Sequence, residues 1–258
     1  MTSLARRHYL RKMAALEAGV AAIAAGAPVA PTEGPQADEY QLLELHLRTD
    51  IADLKSLQSI EKRIERKREL LPKYEAWVEG RIEAPDANVR GVQDDVLVTI
   101  MLWRIDVGDY AGAVRLAQYA IRHHLAMPQG FSRGLPCVLA EQVAEGAIKD
   151  LAAGKPAPDV LDDVFLLVDG HDMPDEVKAK LHKAIGLEAA RRAGDEAACA
   201  ASGVPGAQRI FRERALAELK RAVDLHEACG VKTDIKRLEK DLNKPAPAGD
   251  EIASQAQA

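Results

Sequence analysis

The sequence predicts an all-α protein, a long coiled-coil-like helix followed by helical hairpins. Three observations carry this. Ala and Leu are abundant while aromatic residues make up only 4% of the 258 residues, a composition of packed helices rather than a sheet. Apolar residues recur at steps of three and four, the period of one helix face. Val, Ile and aromatic residues nowhere alternate with polar ones for long enough to read as a strand.

In chain order, residues 1–25 read as a basic N-terminal arm. Arg6, Arg7, Arg11 and Lys12 occur before the first acid, Glu17. On a helix Arg7 and Arg11 would share a face that suits a phosphate backbone, and a solvated, frayed terminus accounts for them equally well. Residues 26–39, with GAPVAPTEGP, read as a linker. Residues 40–83 read as coiled-coil or oligomerisation helices. Tyr40, Leu43, Leu47, Ile51, Leu54, Leu57, Ile60 and Ile64 form an apolar seam on a predicted helix Tyr40 to Leu71. The second half of that helix is basic, with Lys62, Arg63, Arg66, Lys67 and Arg68 interleaved with Glu61, Glu65 and Glu69. An ion-paired solvated face and a nucleic-acid contact are the two readings of it. Tyr74, Trp77, Val78 and Ile82 make a short amphipathic segment before a loop from Ala84 to Val92.

Residues 93–242 read as a helical-hairpin domain. Val96, Leu97, Ile100, Met101 and Ile105 line one helix, and Val114, Leu116, Ala117, Ala120 and Ile121 the next. Between them Gly108 can end the first helix in the left-handed conformation, and Asp109 can cap the second. Ala111, Gly112 and Ala113 then let the two helices approach closely, which gives the hairpin a tetratricopeptide-like character. Gly194-Asp195 repeats the Gly-Asp turn, which predicts a second hairpin, interrupted by Gly203, Pro205 and Gly206. Residues 243–258 read as a disordered tail.

The net charge of −5 gives no global polycation, so any nucleic-acid contact must be local. Cys137, Cys199 and Cys229 are odd in number and widely spaced, which fits a reducing compartment, the cytoplasm, and no zinc site. No apolar run reaches the roughly 20 residues that span a bilayer. Candidate chemistry is sparse, and neither a metal nor a cofactor is expected. Adjacent His123 and His124 would diverge on a helix. Asp94-Asp95 and Asp162-Asp163 read as acids at helix starts. Asp172-Met173-Pro174-Asp175-Glu176-Val177-Lys178 resembles fused halves of a nuclease motif. It is better explained as a helix start with Asp172 as cap and Pro174 in the first turn.

Several stretches in the same order resemble a known family. They are Lys67-Arg68-Glu69-Leu70-Leu71-Pro72, Trp77-Val78-Glu79-Gly80, Gln93-Asp94-Asp95 and Met101-Leu102-Trp103-Arg104 with Gly108-Asp109. Met173-Pro174-Asp175-Glu176-Val177, Lys180-Leu181-His182-Lys183 and the opening Met1-Thr2-Ser3 with Arg7-His8 continue the series. Together they look like the small terminase subunit of peduovirus-type tailed phages and their prophages, often labelled the terminase endonuclease subunit. The resemblance implies a ring-forming homo-oligomer that binds double-stranded viral DNA at a cohesive-end packaging site in the host cytoplasm. It also implies a partner, the large terminase subunit, whose ATPase drives packaging. DNA contact is expected first at Arg6, Arg7, Arg11 and Lys12, and second at Lys62, Arg63, Arg66, Lys67 and Arg68. No catalytic residue is assigned. The alternatives are a metal-dependent endonuclease using Asp94 or Asp95, and a helical-repeat adaptor that binds only protein.

Overall fold

A computed structural model describes residues 35–84 and 92–244, and among them every regular element is helical. The chain divides into two compact units, Met1–Leu135 and Pro136–Ala258.

In the first unit, α1 spans Pro35–Ser56, α2 Ile60–Leu70, α3 Pro72–Glu83, α4 Asp95–Val107 and α5 Tyr110–Arg122. The core is α4. Its run from Val96 to Ile105 is almost wholly apolar and is buried on every side, as expected of a helix without a polar face. Helices α1, α2, α3 and α5 surround it. Tyr74 of α3 meets Trp103 of α4 edge to face, with ring centroids 6.0 Å apart. The α4–α5 turn forms as its residues predict. Gly108 has φ 86°, and the Asp109 side chain accepts a hydrogen bond from the Gly112 amide.

The helix expected from Tyr40 to Leu71 is instead two. It breaks at Leu57-Gln58-Ser59, where Ser59 caps α2 by accepting from the Lys62 amide. The Arg63 Nε donates to the Leu57 carbonyl at 2.6 Å, satisfying backbone that the break exposes. At the other end, α1 begins at Pro35, so the last part of the expected linker 26–39 is helical. The inward seam survives in α1, with Tyr40, Leu47 and Leu54 buried. Asp50 is buried beside them and accepts from the Tyr74 hydroxyl at 2.5 Å and Lys73 Nζ at 2.8 Å, which ties α1 to α3. Burial works against this carboxylate, yet the two hydrogen bonds outweigh it and hold its pKa below the ordinary value.

The sequence grouped 93–242 into one hairpin domain, whereas α4 and α5 pack with the helices before them. Long-range polar contacts explain the difference. Arg104 of α4 is buried; its Nη2 donates to both oxygens of Glu75 in α3 at 2.7 and 2.6 Å, while its Nη1 donates to Asp109 at 2.8 Å.

In the second unit, α6 spans Leu135–Ala152, α7 Leu161–Val168, α8 Asp175–Ala193, α9 Glu196–Ala201, α10 Ala207–Leu225 and α11 Lys232–Leu242. The expected hairpin at Gly194-Asp195 is different in form. Asp195 does cap, accepting from the Ala198 amide, but Gly194 has φ −89° and α9 is only six residues long. The antiparallel partner of α8 is α10, reached after a break in which Gly203 and Gly206 both take positive φ. Gly186 permits that approach, since a Cβ there would lie 2.7 Å from the Leu219 side chain. Glu188 of α8 is buried, accepts from Arg191, Arg192 and the Ala157 amide, and so fastens the loop before α7.

Candidate nucleic-acid interface

Of the expected DNA contacts, Arg6, Arg7, Arg11 and Lys12 lie outside the described residues, as does residues 245–258 of the expected tail. The second group lies on α2, and its side chains divide by partner. Lys67 pairs with Asp106 and Arg68 donates to the Val107 carbonyl, both at the C-terminal end of α4. Cations are favoured there, because the last carbonyls of a helix carry partial negative charge. Arg63 is committed to the Leu57 carbonyl, and Arg66 pairs with Glu69 at 2.7 Å. Lys62 is exposed and makes no ion pair among the described residues. The exposed residues of α2 are Ile60, Glu61, Lys62, Glu65, Arg68 and Glu69, so acids stand among the cations on its open face. Two of the five cations, Lys67 and Arg68, thus tie α2 to the end of α4.

A second cationic face, which the sequence reading passed over, lies on α11. Its exposed residues are Lys232, Thr233, Lys236, Arg237 and Lys240, without an acid among them. The signal was available as lysines at steps of four, 232, 236, 240 and 244.

The acids that an endonuclease would use have structural partners. Asp94 is 2% exposed and caps α4, accepting from the Leu97 amide at 2.8 Å. The Trp77 indole donates to its other oxygen at 2.9 Å, and Arg81 Nε lies 3.5 Å away. Burial is the largest influence and pushes this carboxyl's pKa up, against the pull of those donors. Asp95 accepts from Gln93 at 2.7 Å, and its amide donates to the Tyr40 hydroxyl at 3.0 Å. Trp77, Arg81 and Tyr40 thus fix the start of α4 from two other helices, a role that spacing in the sequence did not reveal.

The remaining candidates do not converge. His123 is buried at the end of α5 and His124 is exposed with φ 56°, so neither sits on a helix as expected, and they point apart. Asp172 does not cap α8. Pro174 stands at the cap position instead, and Asp175 and Glu176 occupy the first turn, where the helix dipole favours acids. Asp162 and Asp163 lie in the first turn of α7, and Asp162 pairs with Arg214. Among the described residues, no group of three or more His, Cys, Asp or Glu could hold a metal ion.

Comparison with known proteins adds family membership. The model of the phage small terminase subunit family matches residues 44–176. A protein of Escherichia phage P2 named "Terminase, endonuclease subunit" is 40% identical over 248 residues, covering 96% of this chain and 88% of that protein. A "Probable terminase, endonuclease subunit" of Haemophilus phage HP1 is 26% identical over 220 residues, covering 83% and 74%. No solved structure matches. The chain belongs to the phage small terminase subunit family.

Proposed function

We propose that the chain is the DNA-recognition subunit of a phage terminase. It binds double-stranded viral DNA at the cohesive-end packaging site and directs cleavage and packaging by the large, ATP-hydrolysing subunit in the host cytoplasm. The observation that carries this is the family match, which extends along nearly the whole chain in the P2 relative. The non-catalytic role is supported by Asp94, whose two oxygens are occupied by the Leu97 amide and the Trp77 indole. DNA contact is assigned to Arg6, Arg7, Arg11 and Lys12, and on α2 to Lys62, which makes no ion pair among the described residues, and to Arg66, whose partner Glu69 lies on the same helix with both side chains largely exposed, ahead of Arg63, Lys67 and Arg68, whose partners lie outside α2.

The chain works as a homo-oligomeric ring. Leu42 and Leu45 support this, standing 55% and 59% exposed on the outer side of α1 while Tyr40, Leu47 and Leu54 fill the inner side. Two exposed leucines one turn apart suit a contact between copies. The α4–α5 pair is read as tetratricopeptide-like, a reading supported by its Gly-Asp turn and by the buried small residues Gly112 and Ala113 that follow it. Among the described residues, no helix is long and apolar enough to cross a membrane. Light scattering combined with a salt-titrated gel shift tests the reading. A ring-sized species whose DNA affinity falls steeply with salt is expected, and a monomer without DNA affinity at low salt refutes it.

The relatives' names favour a second reading, in which the chain itself cuts the DNA. The two readings differ in whether cutting needs the large subunit.

A further inference from the structure

We propose that the solvent face of α11 is a DNA-contact surface that grips the phosphate backbone of duplex DNA without reading its bases. This surface presupposes that the chain is a DNA-binding subunit, and it places contacts on the second unit that the basic N-terminal stretch and α2 do not supply.

The face is made by how α11 is buried. Val231 and Leu238 pack with Ala189, Ala215 and Leu219, and Ile235 lies against them. With that side fixed inward, the exposed residues are Lys232, Thr233, Lys236, Arg237 and Lys240. The helix's three acids sit on its flanks, each with a partner. Asp234 holds Arg237 at 2.8 Å, Asp241 holds Lys244 at 2.6 Å, and Glu239 reaches Lys220 of α10 at 2.7 Å. Lys232 pairs with Glu227 at 2.8 Å, and both side chains are mostly exposed. Pairs in that setting are weak and yield readily to a phosphate. Lys236 and Lys240 make no ion pair among the described residues, so their charge is fully available.

The lysines at 232, 236 and 240 recur about every 6 Å along the axis of α11, for a row of about 12 Å. One strand of B-DNA presents about three to four phosphates over that distance. The chemistry favours this occupant over a protein. Stable protein interfaces are depleted in Lys at their centre and depend on aromatic or aliphatic anchors, and the exposed side of α11 offers no apolar side chain. Lysine ammonium groups act as point charges, so the surface holds the backbone in register and carries no base specificity. The contrast with α2 is direct, because three glutamates stand on the exposed side of that helix.

The test is a salt titration of duplex binding by the full chain, comparing wild type with K236Q/K240Q, K236R/K240R and K149Q/K155Q. Lys149 and Lys155 are exposed, make no ion pair among the described residues, and lie outside α11, so that pair controls for net charge. Each phosphate contact contributes about 0.9 to the slope of log K against log salt. The K236Q/K240Q slope is therefore expected to be shallower by about 1.8, with affinity lowered about 60-fold at 0.1 M salt on any duplex sequence. K236R/K240R keeps the wild-type slope, and so does K149Q/K155Q. A wild-type slope and affinity in K236Q/K240Q overturn the proposal and leave the DNA-binding reading standing. An equal loss in K149Q/K155Q also overturns it, since net charge alone would then explain the effect. Wild type that fails to bind duplex at low salt removes the DNA-binding reading and this surface together.

Discussion

Replacing Asp94 separates a structural carboxylate from a catalytic one. Asp94→Ala removes the α4 cap at the Leu97 amide, which costs about 1 kcal/mol. It also leaves the Trp77 indole N–H without its acceptor and Arg81 without its carboxylate in a buried setting, which adds about 1–3 kcal/mol. Urea unfolding at pH 7 should therefore show a loss of about 3 kcal/mol. Asp94→Asn keeps one carbonyl oxygen, which can serve the amide or the indole but not both, so its loss should be about half as large. A folded Asp94→Asn protein should support cleavage in the presence of the large subunit. Asp94→Ala within about 0.5 kcal/mol of wild type would refute the capping role, and a stable Asp94→Asn protein that abolishes cutting would indicate a catalytic one.

The remaining expectations concern charge networks and assembly. Glu188 is opposed by burial, but Arg191, Arg192 and the Ala157 amide hold its pKa below the ordinary 4.5. Its stabilisation is therefore complete above the unfolded-state pKa and lost as pH falls through the folded one. Glu188→Gln should cost about 2 kcal/mol at pH 7 by urea unfolding, and the difference from wild type should shrink on acidification below 4.5. Arg104→Ala leaves Glu75, Glu79 and Asp109 facing one another. Because Glu75 and Asp109 are half exposed, the expected loss is about 2–3 kcal/mol, below that of a fully buried pair. Arg104→Lys should restore only part of it, since one ammonium cannot take the places of the two guanidinium nitrogens that hold Glu75 and Asp109 at once. Leu42→Asp with Leu45→Asp should leave the circular dichroism spectrum unchanged and reduce the mass seen by light scattering. An unchanged mass would show that the outer side of α1 is not an interface between copies.

What the sequence reveals here is mostly local. Gly108 and Asp109 mark their turn because capping involves residues within one helical turn, and the structure has both in those roles. The break after Ser56 carries no Gly or Pro, and its signals are a single Ser59 cap and an Arg63 that satisfies the Leu57 carbonyl. Apolar periodicity runs across that break undisturbed, so Tyr40 to Leu71 reads as one helix. No local signal marks Arg104 as buried and paired, because its partner Glu75 is 29 positions away. Glu188 is similar, holding an amide 31 positions earlier. The basic run on α2 shows its charge in the sequence but not that Lys67 and Arg68 face the end of α4. The evenly spaced lysines of α11 are visible in the sequence, yet only the burial of Leu238 and Val231 shows that they share an acid-free open side.

The central claim is that this chain holds the DNA while another polypeptide cuts it. The most direct measurement is cleavage of a cohesive-end duplex with magnesium, by the chain alone and with the large subunit added. A salt-sensitive complex and uncut DNA are expected in the first case, and cutting in the second. Cutting by the chain alone would contradict the claim.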